Sequence, residues 1–265
     1  MTRPAAKRSL GQNFLVSRGV ARRILDAVEP PAGAVLEIGP GRGALTEGLL
    51  SRFAPVVAVE LDGELAAGLR ERWGPAGLVV HETDVLALDL AGVRTQTGGA
   101  PLTIVGNLPY NVSKPIAMLL VRARYEIGGA VLMFQREVAQ RLVARPGSRA
   151  YGPLTVLAGA CFRIEKLFDV APGAFRPRPG VVSSVTRWRR LAEPLPHADE
   201  PPLRACLAGC FARRRRTLRN NLRAALGEVA AGELLAKVGF DGETRAEQLS
   251  PAELRHLAAL WPPES

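Results

Sequence analysis

The chain has 265 residues, 47% of them hydrophobic, which is enough for one large domain or for a mid-sized domain with a small one. Lysine and arginine total 35 against 25 acidic residues, so the formal charge is +10 and favours a polyanionic partner such as nucleic acid. No apolar run approaches the length of a membrane span, and no signal-like apolar segment follows the basic N-terminus. These features exclude an integral membrane protein, and we expect a cytoplasmic protein without a membrane partner.

The cysteines and histidines do not form a metal-binding pattern. Cys206 and Cys210 lie four residues apart, but Cys161 and the three histidines are scattered singly. A zinc site requires more ligands than one such pair, so we expect no bound metal. Three cysteines without a CxxC motif are typical of free thiols in a reducing compartment.

In the first part of the chain, strand-like runs of valine, isoleucine and leucine alternate with helical patterns. The predicted strands are 34–38, 56–60, 78–81, 102–106 and 129–134, followed by β-like stretches at 161–168 and 181–188. The predicted helices are one that Ser17 caps and that runs to about residue 29, then 44–52, 63–72 and 113–122. Segment 92–101 is polar and glycine-rich, and is predicted to be a loop. This alternation predicts an α/β fold with a parallel sheet covered on both faces.

The character of the sequence changes after about residue 190. Segment 191–202 holds four prolines and is predicted to be a linker. From 203 to 260 the pattern is helical, with Gly227 and Gly239 as breaks and Ser250 as an N-cap before Pro251. We therefore predict two domains, 1–190 and 191–265, the second small and all-helical.

A glycine loop, Glu-Ile-Gly-Pro-Gly-Arg-Gly at 37–43, follows the first predicted strand and opens a helix. Glycines allow a sharp turn and a close approach of the backbone to a ligand. Alone, the loop is compatible with a plain turn between strand and helix, or with a dinucleotide site in which Ala44 replaces the last glycine.

Two acidic residues stand at the carboxyl ends of the next two strands. Glu60 ends the second strand, where α/β nucleotide sites place a carboxylate against ribose hydroxyls. Asp84 follows the third strand and can accept a hydrogen bond from an adenine amino group. Together with the glycine loop, they predict an adenosine pocket at the carboxyl edge of the sheet.

The tetrapeptide Asn107-Leu108-Pro109-Tyr110 ends the fourth strand. The Asn107 side-chain oxygen and the Leu108 carbonyl can accept the two hydrogens of an adenine amino group, which favours a tetrahedral nitrogen ready for methylation. Pro109 fixes the backbone that aims this carbonyl, and Tyr110 offers a ring on which a base can stack. The alternative is an ordinary turn after a strand.

With these residues the sequence resembles the ribosomal RNA adenine N6-dimethyltransferases, in motif order and over nearly the whole chain. The matching motifs are Gly-Gln-Asn-Phe-Leu at 11–15, the glycine loop, 60–62, 84–86, 107–110, 135–139, 147–152, the segment from Phe175 to Ser183, and Arg-Arg-Arg-Thr-Leu at 214–218.

The resemblance implies a Rossmann-like methyltransferase domain that uses S-adenosylmethionine, followed by a helical RNA-binding domain. It implies cofactor contacts by Asn13, Leu15, Gly39, Gly41, Glu60, Asp84 and Asn107. It implies that the target base is held by Asn107, Leu108, Pro109, Tyr110 and, on its other face, Phe175. Arg176 and Arg178 flank Phe175, so we expect this ring on an exposed loop that faces an anion.

Two arginine-rich stretches support a nucleic-acid partner. Residues 171–190 carry five arginines and no acid, and residues 201–227 carry seven and no acid. We expect the run Arg213–Arg216 to spread positive charge around a helix that grips RNA phosphates.

The resulting hypothesis is dimethylation of adenine N6 in ribosomal RNA by a monomeric enzyme. The resemblance favours two adjacent adenines near the 3′ end of small-subunit RNA, in a precursor of the small ribosomal subunit. The alternatives are a nicotinamide-dependent oxidoreductase, a non-catalytic RNA-binding assembly factor with the same fold, and a methyltransferase for large-subunit RNA or DNA. The oxidoreductase leaves the Asn107 motif and the arginine stretches unexplained.

Overall fold

The computed structural model describes residues 12–30 and 32–262, and its strands form a seven-stranded sheet and a separate two-stranded pair. The strands are β1 (Phe14–Leu15), β2 (Val35–Ile38), β3 (Val56–Glu60), β4 (Val79–Glu82), β5 (Leu102–Asn107), β6 (Ile127–Gln135), β7 (Phe162–Val170), β8 (Phe175–Arg176) and β9 (Ser183–Arg190). The helices are α1 (Arg18–Ala27), α2 (Thr46–Leu50), α3 (Gly63–Trp73), α4 (Leu90–Gln96), α5 (Ser113–Arg122), α6 (Arg136–Leu142), α7 (Pro153–Gly159), α8 (Glu200–Cys210), α9 (Leu218–Leu226), α10 (Glu228–Val238) and α11 (Pro251–Ala259).

The sheet has the strand order β4-β3-β2-β5-β6-β9-β7. Strands β2 to β6 pair in parallel, and every residue of β2 and β3 is buried, as expected of apolar strands covered on both faces. The prediction of a parallel sheet is wrong at one end, because β9 pairs antiparallel with β6. The sheet is therefore mixed, although the predicted strands are present.

The register of the central strands determines which residues emerge together at the carboxyl edge. Ile38 of β2 pairs with Val59 of β3 and with Gly106 of β5. The next residues along these strands are the first loop glycine, Glu60 and Asn107, so the three predicted motifs reach the same edge side by side.

A separate two-stranded pair holds the segment that precedes α1. Leu15 of β1 pairs with Phe175 of β8, and both side chains are buried in the hydrophobic core. The side-chain oxygen of Ser17 accepts a hydrogen bond from the backbone N–H of Val20, as predicted for the N-cap of α1.

The predicted loop at 92–101 is wrong in its first half, which forms the end of α4. Leu90 and Val93, three residues apart, are both buried, so the segment has one short apolar helical face that its polar composition conceals. The turn that follows α4 includes Gly98 and Gly99, whose φ angles are +100° and +79°.

The chain divides into two compact units, and the division differs from the predicted boundary. The first unit comprises the described residues up to Ala139 together with Arg163–Arg190; the second comprises Gln140–Phe162 together with the described residues from Leu191 onward. Segment 140–162 thus packs with the helical unit, where α7 contacts α8 and α11. None of the described helices has the length and hydropathy needed to span a bilayer.

Within the second unit, α8 begins earlier than the predicted linker allows. Pro201 and Pro202 occupy its first turn, where the missing backbone N–H costs no helical hydrogen bond. Ser250 caps α11 as predicted, since its hydroxyl accepts from the backbone N–H of Glu253 at 3.2 Å while Pro251 occupies the first turn. The core of the unit includes Cys206 and Cys210, whose Sγ atoms lie 3.8 Å apart.

Candidate functional site

A cleft at the carboxyl edge of the sheet, closed on one side by the segment around β1, collects most of the predicted site residues. Those that line it are Asn13, Leu15, Gly39, Gly41, Glu60, Asn107, Leu108, Pro109 and Tyr110. Asp84 and Phe175 do not line it. The sequence prediction also missed Gln12, Glu37 and Arg42, which do.

The loop after β2 has a backbone conformation that favours glycine. Gly39, Gly41 and Gly43 have φ angles of +61°, +57° and +78°. A Cβ atom would lie 3.0 Å from the Phe14 ring at Gly41 and 2.0 Å from the Trp73 ring at Gly43. The loop therefore brings bare backbone to the wall of the cleft, where a ligand can approach it closely.

Two backbone N–H groups hold the carboxylate of Glu60, one from the glycine loop and one from the residues after β3. Its Oε2 accepts from the backbone N–H of Gly41 at 3.0 Å, and its Oε1 accepts from the N–H of Asp62 at 3.0 Å. Burial raises the pKa of Glu60, and the two backbone hydrogen bonds oppose this effect. Each carboxylate oxygen keeps acceptor capacity, so the group can still receive two hydroxyl protons of a ribose.

Glu37, in β2, is a buried carboxyl beside Glu60. Burial raises the pKa of Glu37 to about 8, while a hydrogen bond from Thr46 lowers it and the charge of Glu60 raises it further. The Thr46 hydroxyl donates to Oε2 of Glu37 at 2.6 Å. The signal in the sequence was an acid within an apolar strand directly before the glycine loop.

The side chain of Asn107 is oriented by a residue far away in sequence. Its Nδ2 donates to the backbone carbonyl of Asn13 at 3.1 Å, across a separation of 94 residues. Because an amide nitrogen can only donate, this bond assigns Oδ1 as the free acceptor. Within the part of the chain that the structure describes, no residue donates to Oδ1.

The rest of the Asn107–Tyr110 loop is attached to two strands. The backbone N–H of Leu108 donates to the carbonyl of Met133 in β6 at 3.3 Å. The Tyr110 hydroxyl lies 2.7 Å from Oγ of Ser183 at the start of β9. Burial raises the pKa of Tyr110, and the contact with Ser183 lowers it. The loop is thus fixed at both ends by long-range contacts.

Asp84 stands at the same edge of the sheet but outside the lining. It follows β4, whose Glu82 pairs with Glu60, and its side chain is exposed. Its Oδ1 accepts from the backbone N–H of Leu86 at 2.9 Å and so caps a short turn. The second carboxylate oxygen remains available to a ligand that extends past Glu60.

The expectation of an exposed Phe175 is wrong. Its side chain is 0% exposed and packs in the core with Leu15, its partner in the β1–β8 pair. Successive side chains of a strand point to opposite sides, so the exposed Arg176 places its neighbour Phe175 inward. Phe175 supports the segment that closes the cleft and does not face it.

The arginines of segment 171–190 are largely engaged within the first unit. Nη1 of Arg187 and Nη1 of Arg189 lie 3.2 Å and 3.0 Å from Oε1 of Glu165, and Arg189 also pairs with Glu29. The guanidinium of Arg190 donates to the carbonyl of Tyr125 at 3.1 Å. Ion pairs with Glu29 and Glu165 therefore compensate two of the five arginines of this stretch, Arg187 and Arg189.

The run Arg213–Arg216 is not helical, contrary to the prediction. It lies in the turn between α8 and α9, and all four residues are exposed. The side chain of Asn221, which is 2% exposed, donates to the carbonyl of Arg213 and accepts from its N–H, both at 3.1 Å. Arg214 donates to the carbonyl of Tyr151 at 2.6 Å. No carboxylate among the described residues pairs with Arg213, Arg215 or Arg216.

The cysteines belong to the interior. Cys161, Cys206 and Cys210 are free thiols and all are buried. The contact with Cys210 and then burial raise the pKa of Cys206. Among the residues that the structure describes, no group of three or more histidine, cysteine or acidic side chains could hold a metal ion.

The cleft suits a cofactor that contains a ribose, such as a nucleoside. Glu60 presents acceptor oxygens for a ribose, and at Gly41 the absence of a Cβ keeps the wall open to the ligand. The sheet and this site define a class of protein: the methyltransferases with a Rossmann-like fold that use S-adenosylmethionine.

Within that class, the chain belongs to the family described as ribosomal RNA adenine dimethylase, whose model matches residues 3–260. It is 43% identical over 255 residues to the ribosomal RNA small subunit methyltransferase A of Aromatoleum aromaticum, covering 96% of this chain and 93% of that protein. The predicted fold class, enzyme class and cofactor are thereby confirmed, and the oxidoreductase alternative is set aside.

Solved structures show the same fold. A dimethyladenosine transferase from Plasmodium falciparum superimposes with a TM-score of 0.80 at 24% identity, covering 92% of this chain and 95% of that one. The 23S rRNA methyltransferase ErmE gives a TM-score of 0.70 at 28% identity, covering 94% of this chain and 99% of that one.

Proposed function

We propose that this chain dimethylates N6 of two adjacent adenines near the 3′ end of small-subunit ribosomal RNA, in a precursor of the small subunit. The relative of Aromatoleum aromaticum, similar over almost the whole chain, supports the small subunit as the substrate. The observation that carries the chemistry is the Asn107 amide, whose nitrogen is engaged by Asn13 and whose oxygen is left to accept.

The residues of the Asn107–Tyr110 loop act on the target adenine. Oδ1 of Asn107 and the carbonyl of Leu108 accept the two amino hydrogens, which draws the nitrogen towards tetrahedral geometry and makes its lone pair available. The Tyr110 ring stacks on the base, a contact worth about 1–3 kcal/mol. Bound S-adenosylmethionine supplies the methyl group from its sulfonium.

Other residues that line the cleft hold the cofactor, together with Asp84 outside the lining. We assign the ribose hydroxyls to Glu60 and the adenine amino group to the exposed carboxylate of Asp84. The methionine end is assigned to Asn13 and Leu15, and the close backbone approach to Gly39 and Gly41.

The second unit binds RNA through the turn between α8 and α9. Arg213, Arg215 and Arg216 are exposed cations without acidic partners among the described residues, which suits phosphates better than base edges. The target adenine then leaves its stack to enter the cleft of the first unit. We further propose that the enzyme is a monomer that works in the cytoplasm, where small subunits assemble.

The direct test is methyl transfer from labelled S-adenosylmethionine to under-methylated small subunits, with mass spectrometry of the product nucleosides. We expect N6,N6-dimethyladenosine at two neighbouring positions, formed about 10²–10³-fold more slowly with Asn107→Ala. Large-subunit RNA serves as the competing substrate. Incorporation there and not into small subunits would overturn the small-subunit assignment while leaving adenine methylation intact. An Asn107→Ala protein that still binds small subunits would reveal an assembly role beside the chemistry.

The RNA-binding assignment has a separate test, the salt dependence of affinity for a small-subunit RNA fragment. Arg215→Ala should lower the slope of log affinity against log salt by about 0.7–0.9, the value for one lost phosphate contact. Arg189→Ala is the matched control, because its guanidinium is already paired with Glu29 and Glu165. Equal slopes for wild type and Arg215→Ala would contradict this role of the turn.

A further inference from the structure

The contact between Tyr110 and Ser183 joins the base-binding loop to the rigid sheet. The two hydroxyl oxygens lie 2.7 Å apart across a separation of 73 residues. Ser183 is 0% exposed and pairs with Gln135 of β6, so its position is set by the sheet. Tyr110, in contrast, begins a short 3-10 turn, Tyr110–Val112, whose side chains are not buried.

Two parts of the Tyr110 side chain have different roles: the hydroxyl contacts Ser183, and the face of the ring is available to a base. Tyr110 lines the cleft, whereas its hydroxyl reaches Ser183, so the hydrogen bond leaves the face of the ring available for stacking. A tyrosine side chain rotates about two torsions, and a bond at its far end restrains both. Because stacking depends on the plane of the ring, this restraint determines how well the ring receives a base.

We propose that Ser183 is a positioning residue, which holds the Tyr110 ring in the plane on which the target adenine stacks. This inference rests on the proposed function, because it names a determinant of the same base site. It assigns no chemical step to the phenol. Removing either hydroxyl therefore has the same consequence, a ring that is less well oriented.

The neighbouring Ser184 provides a matched control. It is also fully buried in β9, and its hydroxyl donates to Oδ1 of Asp169 at 2.5 Å, with no part in the cleft. Ser184→Ala removes a buried hydroxyl from the same strand, so it reports the structural cost of such a deletion without disturbing Tyr110.

The first experiment is a double-mutant cycle in single-turnover methylation of small subunits. Tyr110→Phe and Ser183→Ala should each slow methylation about threefold to tenfold, the usual effect of one hydrogen bond, and the double variant should be no slower than the slower single variant. Cofactor affinity by calorimetry should be unchanged, and Ser183→Thr should restore the rate. Ser184→Ala should combine additively with Tyr110→Phe. Additive effects of Tyr110→Phe and Ser183→Ala, or an unaffected Ser183→Ala, would overturn the inference.

The second experiment does not depend on turnover. The chain has only three tyrosines, so carbon-13 labelling of tyrosine rings gives few NMR signals to assign. The Tyr110 ring should become more mobile in Ser183→Ala and stay unchanged in Ser184→Ala. An equally ordered ring in Ser183→Ala would refute the positioning role even if methylation failed. The proposed function alone would be overturned by a different pair of results: the Tyr110 ring becomes more mobile in Ser183→Ala, but the wild type binds cofactor and methylates no ribosomal RNA.

Discussion

The two sides of the cleft are built in different ways. On the cofactor side, Glu60 is held by Gly41 and Asp62, which are at most 19 residues away in the chain. On the base side, Asn107 is held by Asn13 across 94 residues and Tyr110 by Ser183 across 73. One side is a local motif, and the other is assembled by the tertiary fold.

This difference has consequences for substitution. A local site fails when its own residues change, whereas an assembled site also fails when a distant support is lost. The β1–β8 pair is such a support, because it anchors the segment that carries Asn13. Substitutions can therefore separate the loss of a contact from the loss of a support.

Phe175→Ala should have the largest effect, and it should act on stability. The ring is fully buried, so its removal leaves a cavity and is expected to lower the free energy of unfolding by about 3–5 kcal/mol. Denaturant unfolding measures this loss. Tyr110→Ala is the comparison: it truncates a partly buried ring at the cleft and should reduce methylation while changing stability far less. Similar stability losses for both would show that the two rings do not differ as the structure indicates.

Asn107→Ala should come next and should act on turnover. Loss of one preorganised hydrogen-bond partner of a transition state typically lowers kcat about 10²–10³-fold. Cofactor affinity should fall less, because the free Oδ1 of Asn107 is assigned to the base and only its Nδ2 supports Asn13 on the cofactor side. Single-turnover rates and calorimetry separate the two quantities. Asn111→Ala, at an exposed asparagine directly after this loop, should leave both unchanged. A variant that loses cofactor binding and turnover in parallel would place Asn107 on the wrong side of the cleft.

The same contrast explains how much the sequence could predict. The glycine loop and Glu60 were predictable because their geometry depends on a short segment after each strand. The partner of Asn107 was not, because the pairing with Asn13 exists only when β1 closes the cleft. Phe175 was misplaced because flanking arginines indicate a charged environment, while the alternation of a strand decides which side chain points inward.

The charge pattern shows the same limit at larger scale. Arg187 and Arg189 face Glu165, which is more than 20 residues earlier in the chain, so their compensation could not be read from composition. The run Arg213–Arg216 looked helical from its neighbours, but helix α8 ends at Cys210, before the run begins. A count of arginines predicts a polyanionic partner correctly as a class, and only the structure distinguishes paired from unpaired guanidinium groups.

Glu60→Gln should have a smaller effect, on the cofactor side alone. Glutamine keeps one acceptor oxygen but replaces the other with a donor, so the two ribose hydroxyls and the N–H groups of Gly41 and Asp62 can no longer all be accepted. We expect roughly tenfold weaker cofactor binding, about 1.4 kcal/mol, with turnover at saturating cofactor nearly retained. Calorimetry measures the first and saturation kinetics the second. Glu71→Gln, an exposed acid on α3, is the control. Unaltered binding would remove Glu60 from the cofactor site.

Glu37 should change only how stability depends on pH, and it tests whether the cofactor side holds one charge or two. Burial raises the pKa of Glu37 to about 8 from an ordinary value of 4.5, so the folded state keeps a proton that the unfolded chain releases. The free energy of unfolding should therefore fall as the pH rises from about 5 to about 8, by at most about 1.4 kcal/mol per pH unit from this group. Glu37→Gln, which is neutral at every pH, should flatten that slope. Glu71→Gln should keep it.

Denaturant unfolding at several pH values measures these slopes. Thr46→Val sharpens the result, because loss of its hydroxyl removes the hydrogen bond that stabilises the charged form of Glu37 and should raise the pKa further. The decline in stability should then extend to higher pH. A wild-type slope equal to that of Glu37→Gln would mean that Glu37 ionises normally beside Glu60. The cofactor side would then present two negative charges to its ligand, and the glycine-loop N–H groups would have to stabilise both.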